Sequence, residues 1–377
     1  MKIISAVLGA FLLFLLQNYL YRRFWNIKLS VDLSFSDDNA IEGEELILYE
    51  TVINKKLLPL PILKVKFMTS KYLSFLDTNN SKVTDNYYRN DLLSIMMYQK
   101  LTRSLSFLCT HRGYYTISNM DVVCCDMFVS FEAVASYDLA IHLYVYPKPV
   151  ESSKFEAPFQ KMLGTVLTKR YINEDPFEFR SIREYQSYDN LKAVNWKASA
   201  KTGFLKVNVN DYTASQQIKI LLNLESETIW KHEDILEESI RIAATFASAF
   251  IDQGIPTAIY TNARDIITKE VLHVPAGSGT YHVRTLYETL SRIDTAQVMP
   301  AFVPTIQEEL IHASENDYII IISSYQKDDL QMLLSSLLPH KTVFSWIIPF
   351  NSKVNITAIE ELMPYVVPWE LSGGFYE

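Results

Sequence analysis

The segment 178–201 concentrates the side chains whose chemistry could give this chain a specific function. Arg183 and Asp189 stand six positions apart in it, with aromatic residues between them. A guanidinium and a carboxylate at that separation can form a two-bonded ion pair, so we predict a partly buried pair that closes a loop. We expect the indole of Trp196 to anchor this loop to its domain.

Two interpretations of this segment are open from the residues alone. The segment could serve only as the connection between two domains. Alternatively, it could dock a protein partner, because arginine, tyrosine and tryptophan are the residue types enriched at the energetic centres of interfaces. The side chains that would form such a docking surface are Arg183, Tyr185, Trp196 and Lys197.

The usual catalytic motifs are missing from the sequence. The glycine-containing stretch 277–280 has no lysine after it, so it cannot be a phosphate-binding loop and is predicted to be a turn that leads into a helix. The seven histidines are scattered, with no His-x-x-x-His spacing, and no Gly-x-Ser-x-Gly elbow occurs. Cys124 and Cys125 lie in an apolar run and are predicted to be buried, unreactive side chains. We therefore expect neither catalytic residues nor a bound cofactor.

Composition narrows the classes of partner. A formal net charge of −8 argues against a general nucleic-acid-binding protein, which needs a basic face. Three cysteines, an odd and small number, provide no disulfide framework. An apolar content of 49 % in 377 residues is enough for two ordinary domains with real cores.

The N-terminal residues 1–25 predict a membrane anchor. Residues 3–21 carry no charge, and at about 1.5 Å per residue they span roughly 28 Å, close to the thickness of the hydrocarbon layer. A cleaved signal peptide is the alternative, but bulky residues follow the apolar run where a small-residue cleavage site belongs. Arg22, Arg23 and Lys28 after the helix favour a single-pass protein of the cell membrane with a cytoplasmic body.

Residues 27–149 have the pattern of a β-sandwich-like domain. Apolar and polar residues alternate over 27–35, and further short strands are predicted at 45–54, 62–68, 101–108, 114–117 and 141–146. The polar stretch 77–90 is predicted to be a surface loop. Short strands at this spacing, without a convincing helix, are typical of two packed antiparallel sheets.

A connecting segment is predicted at 150–216. In residues 217–377, which follow it, predicted strands alternate with predicted helices. An amphipathic helix is predicted at 234–253, and the uninterrupted isoleucines 319–322 indicate a strand that is covered on both faces. Strands that alternate with helices predict a mostly parallel sheet with helices on both sides. The expected fold class is therefore an α+β multidomain chain.

The segment 178–201 also carries a family resemblance. It is similar to the signature of the domain-of-unknown-function 58 family at eleven positions in register: Arg183, Glu184, Tyr185, Asp189, Val194, Trp196, Lys197, Ala198, Ser199, Ala200 and Lys201. It departs from that signature at Ser187-Tyr188, where the family has Pro-Gly. The resemblance implies a C-terminal α/β domain that is similar to the A domains of von Willebrand factor.

Such domains often bind Mg²⁺ through an Asp-x-Ser-x-Ser motif after their first strand, together with a threonine and an aspartate from other loops. The corresponding positions here are Asn223, Glu225 and Glu227, with no serine and with asparagine in place of the first aspartate. Thr280 is the candidate for the threonine. Mg²⁺ prefers a near-octahedral set of oxygen ligands, so the resemblance implies a degenerate metal site.

These features together predict a membrane-anchored, non-catalytic scaffold or assembly protein. The resemblance implies a protein partner of the MoxR-type AAA+ ATPase class, and no nucleic-acid partner is expected. Two alternatives are kept open. One is an enzyme of the cell envelope whose site is assembled from scattered residues, and the other is a metal-dependent adhesion module.

Overall fold

The computed structural model describes residues 2–79, 81–172, 179–186, 189, 191–210, 216–226, 232–311, 314, 316–340, 342–351 and 356–371. The chain divides into two compact units, Met1–Lys148 and Pro149–Glu377. Seven α-helices occur within the described residues: α1 (Lys2–Phe24), α2 (Ser152–Ile172), α3 (Trp196–Thr202), α4 (Glu233–Asp252), α5 (Thr280–Ser291), α6 (Phe302–Ile311) and α7 (Asp328–Leu337). The predicted mixture of helices and sheets, with an apolar N-terminal helix and a mostly parallel sheet, is confirmed.

In its described residues, the first unit contains ten strands in two sheets. They are β1 (Leu29–Phe35), β2 (Asn39–Ile41), β3 (Glu45–Asn54), β4 (Leu60–Ser70), β5 (Leu73–Phe75), β6 (Ser81–Val83), β7 (Asn86–Ile95), β8 (Lys100–Cys109), β9 (Gly113–Cys125) and β10 (Glu132–Tyr146). The four-stranded sheet has the order β1-β3-β8-β5, and the six-stranded sheet has the order β2-β10-β9-β4-β7-β6. Neighbouring strands are antiparallel except for the pair of β10 and β2.

One hydrophobic core joins these two sheets. Along β1, Leu29, Val31 and Leu33 are buried while the residues between them are exposed, as the period of two of a strand requires. The same core contains side chains of the four-stranded sheet, such as Phe107, and of the six-stranded sheet, such as Val65. The alternating pattern of the sequence therefore buries one face of each sheet against the other.

The predicted surface loop at 77–90 is wrong, because this stretch forms β6 and the first half of β7. Two buried side chains explain the error. Tyr87 packs its ring 5.0 Å from that of Phe75, and the buried guanidinium of Arg89 forms an ion pair with Asp91. A strand that buries polar and charged side chains does not display the hydrophobic alternation on which the sequence prediction depends.

Helix α1 is long and apolar enough to cross a membrane, with Ile3–Phe24 as the candidate span, and its most apolar window is not buried within the chain. Residues of its second half, from Phe14 onward, contact the first unit. The hydroxyl of Tyr21 donates to the carbonyl of Pro59 at 2.8 Å. The ammonium of Lys56 donates to the carbonyl of Trp25, just beyond the helix, at 2.6 Å. The apolar side chains nearer the start of the helix, such as Ile3, Leu8 and Phe11, are exposed.

The second unit is built on a six-stranded sheet. Its strands are β13 (Ile218–Leu222), β14 (Thr257–Arg264), β15 (Val271–Gly277), β16 (Tyr318–Ile322), β17 (Val343–Phe350) and β18 (Val366–Glu370), in the order β15-β14-β13-β16-β17-β18. All neighbours are parallel except the pair of β14 and β15. Both edge strands contain a proline, Pro275 in β15 and Pro368 in β18.

Both faces of this sheet are covered, as the isoleucine run predicts. Ile320 and Ile322 of β16 belong to the core under α4 and α5, whereas Ile319 and Ile321 belong to the core under α6 and α7. Helix α4 buries the predicted apolar stripe, and Gly254 after it takes the left-handed φ of 73° that favours glycine. The parallel arrangement brings the carboxyl ends of neighbouring strands to one edge of the sheet.

The predicted connecting segment 150–216 contains more regular structure than a linker. Helix α2 packs Phe159, Met162 and Val166 into the core that also holds α4. Further along, β11 (Phe179–Glu184) and β12 (Lys206–Asn210) pair antiparallel in a small sheet of their own, with α3 between them in the chain. Helix α2 is therefore an integral layer of the second unit.

Replacing Phe159 with alanine tests this integration. The ring of Phe159 lies 4.9 Å from that of Phe250 and is almost fully buried. We expect Phe159→Ala to lower the free energy of unfolding by about 3–4 kcal/mol, through lost burial and a residual cavity. Leu167→Ala on the exposed side of the same helix serves as control and should cost under about 1 kcal/mol. Denaturant titration of the detergent-solubilised chain measures both, and equal small losses would show α2 to be a loose linker.

Candidate functional site

The carboxyl edge of the parallel sheet is the first place to look for a site. The sheet order changes direction at β13, which has β14 on one side and β16 on the other. In doubly wound sheets, ligands bind outside the carboxyl ends of the strands at such a switch point. Three polar residues meet there from adjacent strands: Asn223 after β13, Asn262 near the end of β14 and Ser323 after β16.

Asn223 is at the centre of a closed hydrogen-bond network. Its side-chain amide donates to the hydroxyl of Ser323 at 3.0 Å. Its side-chain oxygen accepts from the amide of Asn262 at 3.1 Å and from the backbone N–H of Glu225 at 2.8 Å. The oxygen that could have faced a metal ion is therefore occupied by two donors of the chain itself.

The partners of Asn223 are saturated in turn. Asn262 accepts from the backbone N–H of Leu224 at 3.0 Å and donates to the carbonyl of Pro300 at 2.8 Å. The hydroxyl of Ser323 exchanges hydrogen bonds of 3.1 Å with the backbone of Tyr325. Because buried polar groups must be paired, these bonds join the ends of three strands into one rigid unit.

Glu225 supplies the only carboxylate that the structure describes at the expected metal positions. Its Oε2 accepts from the backbone N–H of Phe302, the first residue of α6, at 2.9 Å. A carboxylate at a helix N-terminus is stabilised by the free N–H groups and the helix dipole. The other acidic position, Glu227, lies outside the described residues. Among the residues that the structure does describe, no group of three or more His, Cys, Asp or Glu side chains could hold a metal.

Thr280, the candidate for the threonine ligand, is at the wrong edge of the sheet. It begins α5 directly after β15, and β15 runs antiparallel to its neighbour β14. The end of β15 at Gly277 pairs with Thr257 at the start of β14. Thr280 therefore follows the amino edge of the sheet, whereas Asn223 lies at the carboxyl edge. The direction of β15 cannot be read from its hydrophobic pattern.

The signature segment is a compact element of its own. Arg183, at the end of β11, binds Asp189 through two bonds of 2.6 and 2.5 Å. Asp189 also accepts from the backbone N–H of Gln186 at 2.7 Å, so the carboxylate closes the turn after β11. The bonds from Arg183 are the main reason that the pKa of Asp189 lies below its ordinary value. The guanidinium is exposed while the carboxylate is mostly covered.

The remaining signature residues belong to the pairing of β11 with β12 and to α3. Glu184 is exposed and pairs with Lys206 across the two strands, and the backbone N–H of half-buried Tyr185 donates to the carbonyl of Leu205. Asn195 caps α3 by accepting from the N–H of Ala198 at 2.9 Å. The capped helix thereby fixes the direction in which its first residues point.

The expected anchoring role of Trp196 is wrong. Its side chain is 67 % exposed at the start of α3, next to the exposed Lys197. The segment is held instead by Val194 and Val207, which are buried, and by Ser199, whose hydroxyl accepts from the N–H of Lys206 at 2.9 Å. No large side chain is needed to hold α3, because backbone groups of Asn195 and Lys206 form its hydrogen bonds to β12.

Several apolar side chains near Trp196 were not singled out in the sequence. Within 179–210, the structure exposes a set of large apolar residues: Ile182, Leu191, Trp196, Phe204 and Leu205. Exposed aromatic and aliphatic residues in one short segment are characteristic of interaction surfaces. The available signal was the pair Phe204-Leu205 directly after Gly203, which ends α3 with a left-handed φ of 74°.

A second polar cluster, also unexpected from the sequence, lies in the first unit. Arg89 binds Asp91 through two bonds of 2.9 Å, and Arg103 bridges Asp91 at 2.9 Å to Asp77 at 3.0 Å. Glu50 is buried near them, and its burial, with the negative charge of Asp91, raises its pKa to about 7. A substrate has no access to the buried members of this cluster, which favours a structural role.

Comparisons with known proteins assign no family. The sequence matches no protein-family model and no curated protein. Among solved structures, the CARDB domain of the PF1109 protein from Pyrococcus furiosus is 16 % identical, with 30 % of this chain and 85 % of that chain covered and a TM-score of 0.20. Spo0M, a sporulation control protein from Bacillus subtilis, is 10 % identical, with 42 % and 58 % covered and a TM-score of 0.18. AvmM, which catalyses a macrocyclization in alchivemycin A biosynthesis, is 9 % identical, with 34 % and 93 % covered and a TM-score of 0.21. Likenesses this weak give no argument about what the present chain does.

Because the hydrogen-bond network at the carboxyl edge is closed, we expect its disruption to lower the stability of the chain, and we expect Mg²⁺ to leave that stability unchanged. Asn223→Ala leaves the N–H of Glu225 and the amide of Asn262 with fewer acceptors, so we expect a loss of about 2–3 kcal/mol in the free energy of unfolding. Ser324→Ala, one residue beyond Ser323, is the control and should change stability by under about 0.5 kcal/mol. Thermal unfolding with and without Mg²⁺ measures both effects. A clear Mg²⁺-dependent rise in the melting temperature of the unaltered chain would contradict the closed network.

Glu50 predicts a pH dependence of stability. Its pKa is about 7 in the folded chain and 4.5 ordinarily, so the folded state binds the proton more tightly, and stability falls as pH rises from 4.5 through 7. Glu50→Gln removes this loss and should stabilise the chain at pH 8 by on the order of 2–3 kcal/mol, with little effect at pH 4. Glu45→Gln, exposed on the same strand, is the matched control and should show no such difference between the two pH values. A gain of equal size at both pH values would rule out titration of Glu50 as the cause.

Proposed function

We propose that this chain is a membrane-anchored, non-catalytic scaffold or assembly protein, similar to the domain-of-unknown-function 58 family, that acts beside a MoxR-type AAA+ ATPase. The observation that carries the proposal is the surface of the segment 179–210. This segment holds itself together by the bonds of Arg183, Asn195 and Ser199. Five of its apolar side chains are exposed: Ile182, Leu191, Trp196, Phe204 and Leu205. A folded element that leaves Trp196 and Phe204 exposed is suited to contact another protein.

The second unit would be the von Willebrand A-like domain of this proposal. Numbered along its own sheet, the strand order β15-β14-β13-β16-β17-β18 is 3-2-1-4-5-6, the order of doubly wound sheets, with an antiparallel strand at one edge. The polar groups at its carboxyl edge bind one another through Asn223, Asn262 and Ser323. This closed network supports a scaffold and disfavours a metal-dependent adhesion module.

The proposed location is the cell membrane, with α1 as a single span and the body of the protein in the cytoplasm. The length and apolar character of Ile3–Phe24 support the span. Arg22 and Arg23 at its carboxyl end support the orientation, because positively charged residues accumulate on the cytoplasmic side. A cytoplasmic body would meet a cytoplasmic ATPase directly.

The docking element of the proposal is the exposed set around Trp196. Lys197 adds a positive charge next to Trp196, and the guanidinium of Arg183 is exposed although it binds Asp189. The matching surface on the ATPase would therefore combine apolar pockets with carboxylates. Truncation of an aromatic residue at the energetic centre of an interface costs about 2 kcal/mol or more of binding, so Trp196 and Phe204 are the residues to replace. Their exposure also means that replacing them leaves the folded unit intact.

Affinity capture of the tagged full chain from native membranes tests this proposal. We expect mass spectrometry to recover an AAA+ ATPase with the unaltered chain, and the double variant Trp196→Ser/Phe204→Ser to reduce its recovery by at least about tenfold. The thermal stability of the double variant should stay close to that of the unaltered chain, because both side chains are exposed.

The matched control is Tyr281→Ser/Val298→Ser, a second pair of strongly exposed apolar residues in the same unit. This control should retain the ATPase. Recovery of no ATPase from the unaltered chain would refute the proposed partnership. Equal losses in the two double variants would show that the segment 179–210 is not the docking element.

A further inference from the structure

Three loops of the first unit gather at the end of the β-domain from which α1 emerges. The side chain of Asn54 donates to the carbonyls of Leu58 and Met96, both at 2.9 Å, which ties the β3–β4 loop to the β7–β8 turn. The pairing of Ile62 with Cys125 brings the β9–β10 loop to the start of β4, next to them. The register of the sheets therefore fixes these loops as one surface.

This surface, which we call the apolar rim, consists of exposed apolar side chains on all three loops. Each loop exposes large apolar side chains whose accessible fractions lie between 53 and 70 %: Leu57, Met96, Met97, Tyr98, Met127, Phe128 and Val129. A contiguous apolar surface of this kind on a monomer marks a place of contact. Its methionines and aromatic residue types are common at adaptable interfaces.

Backbone strain is concentrated at the same end. Among the described residues of the first unit, the non-glycine residues with positive φ are Lys28, Tyr98 and Val129, with φ of 55°, 51° and 55°. A β-branched residue such as Val129 rarely adopts this conformation, which is energetically unfavourable. Backbone strain that the surrounding structure maintains is concentrated at functional sites of proteins.

The β9–β10 loop contacts α1 well inside the candidate span. The rings of Phe14 and Phe128 lie 5.9 Å apart. Gln17 donates to the carboxylate of Asp126 at 3.1 Å, on the same side of the helix. Phe14 precedes the end of α1 at Phe24 by ten residues, which is about 15 Å along the helix axis. A bilayer that surrounds Phe14 must therefore also receive Phe128.

The side chain of Asp126, beside this contact, is held by several hydrogen bonds. The carboxylate of Asp126 is buried and accepts from the N–H and the hydroxyl of Ser130, both at 2.6 Å, and from the N–H of Phe131 at 3.2 Å. Arg22 lies over the ring of Phe131 at 4.7 Å. The hydrogen bonds to Asp126 lower the cost of bringing its carboxylate towards the apolar layer, although its partners Gln17, Ser130 and Phe131 are neutral.

Basic residues border the apolar rim. Arg22, Arg23, Lys28 and Lys55 are exposed at this end, and basic residues near an anionic leaflet are attracted to it electrostatically. An apolar tip with a basic border matches the layered chemistry of a membrane surface, with hydrocarbon beneath phosphate groups. A protein partner would not require the alignment with Phe14 of α1.

We propose that the apolar rim inserts into the bilayer beside α1, so that the β-domain lies directly on an anionic lipid surface. This inference rests on the proposed anchoring by α1 and extends it to the β-domain. Loops 55–59, 96–99 and 126–131 then act as three points of contact, and α1 supplies the fourth. The β-domain is held at a fixed tilt instead of moving freely on a single helix.

Depth-dependent fluorescence quenching of the full chain in vesicles tests this proposal. The native cysteines are buried, so an environment-sensitive label can be attached to single added cysteines: Leu8→Cys in α1, Phe128→Cys and Met97→Cys in the apolar rim, and Val83→Cys as the control. Val83 is an exposed apolar residue of β6, which pairs with the start of β7. The vesicles contain phosphatidylcholine and phosphatidylglycerol, with or without doxyl-labelled lipid.

We expect doxyl lipid to reduce emission at positions 8, 128 and 97 by at least about twofold and to leave position 83 unchanged. Adding Phe128→Asp to the Met97→Cys chain should weaken quenching at position 97, because a charge at the tip opposes insertion. These results together would support the apolar rim as a membrane contact.

The failures of the two proposals can be told apart. Quenching at position 8 without quenching at 128 and 97 would leave the anchor intact and overturn the insertion of the rim. Absence of quenching at position 8 would overturn the anchor, and with it the basis of this inference. A blue-shifted label at 128 that doxyl lipid does not quench would indicate a protein contact instead of lipid and would also overturn the proposal.

Discussion

Buried polar groups must form hydrogen bonds, and this requirement determines the structure of the carboxyl edge of the parallel sheet. At the carboxyl edge of the parallel sheet, Asn223 binds the side chains of Asn262 and Ser323 and the backbone of Glu225. Those bonds use the donors and acceptors that a ligand or a metal ion would otherwise engage. The fold alone predicts a binding site at this edge of the sheet. These bonds make it a structural joint between three strands instead. The interaction surfaces that we propose lie elsewhere, in the segment 179–210 and at the apolar rim.

Regular hydrophobic periods made much of the fold predictable. The run of isoleucines at 319–322 predicts a strand covered on both faces, and the stripe of α4 predicts a helix on that sheet; both are confirmed. Features that depend on pairing across distant parts of the chain were not predictable. The strand at Asn86–Ile95 buries Arg89 and Asp91 against each other, so its polarity resembles that of a loop. The exposure of Trp196 is equally hidden, because the fixation of α3 depends on backbone bonds to Lys206.

The candidate site was also predictable only in part, because residue types are visible in the sequence whereas long-range contacts are not. The residue types at 183 and 189 indicate an ion pair, and the structure brings Arg183 and Asp189 together through two bonds. The positions Asn223 and Glu225 were found by their spacing after a strand, but their spacing could not reveal that other side chains satisfy them. The direction of β15, which moves Thr280 to the opposite edge, depends on tertiary pairing and leaves no trace in local sequence. Long-range contacts thus decide what each locally recognisable residue can do.

The prolines in the two outermost strands of the second unit limit how copies of this protein can associate. An edge strand offers a row of free N–H and C=O groups, and a proline removes one N–H from that row. Pro275 in β15 and Pro368 in β18 interrupt both rows. Neighbouring copies of this chain are therefore hindered from joining their sheets into a continuous ribbon. The two prolines thus disfavour aggregation through backbone pairing at the edges of the sheet.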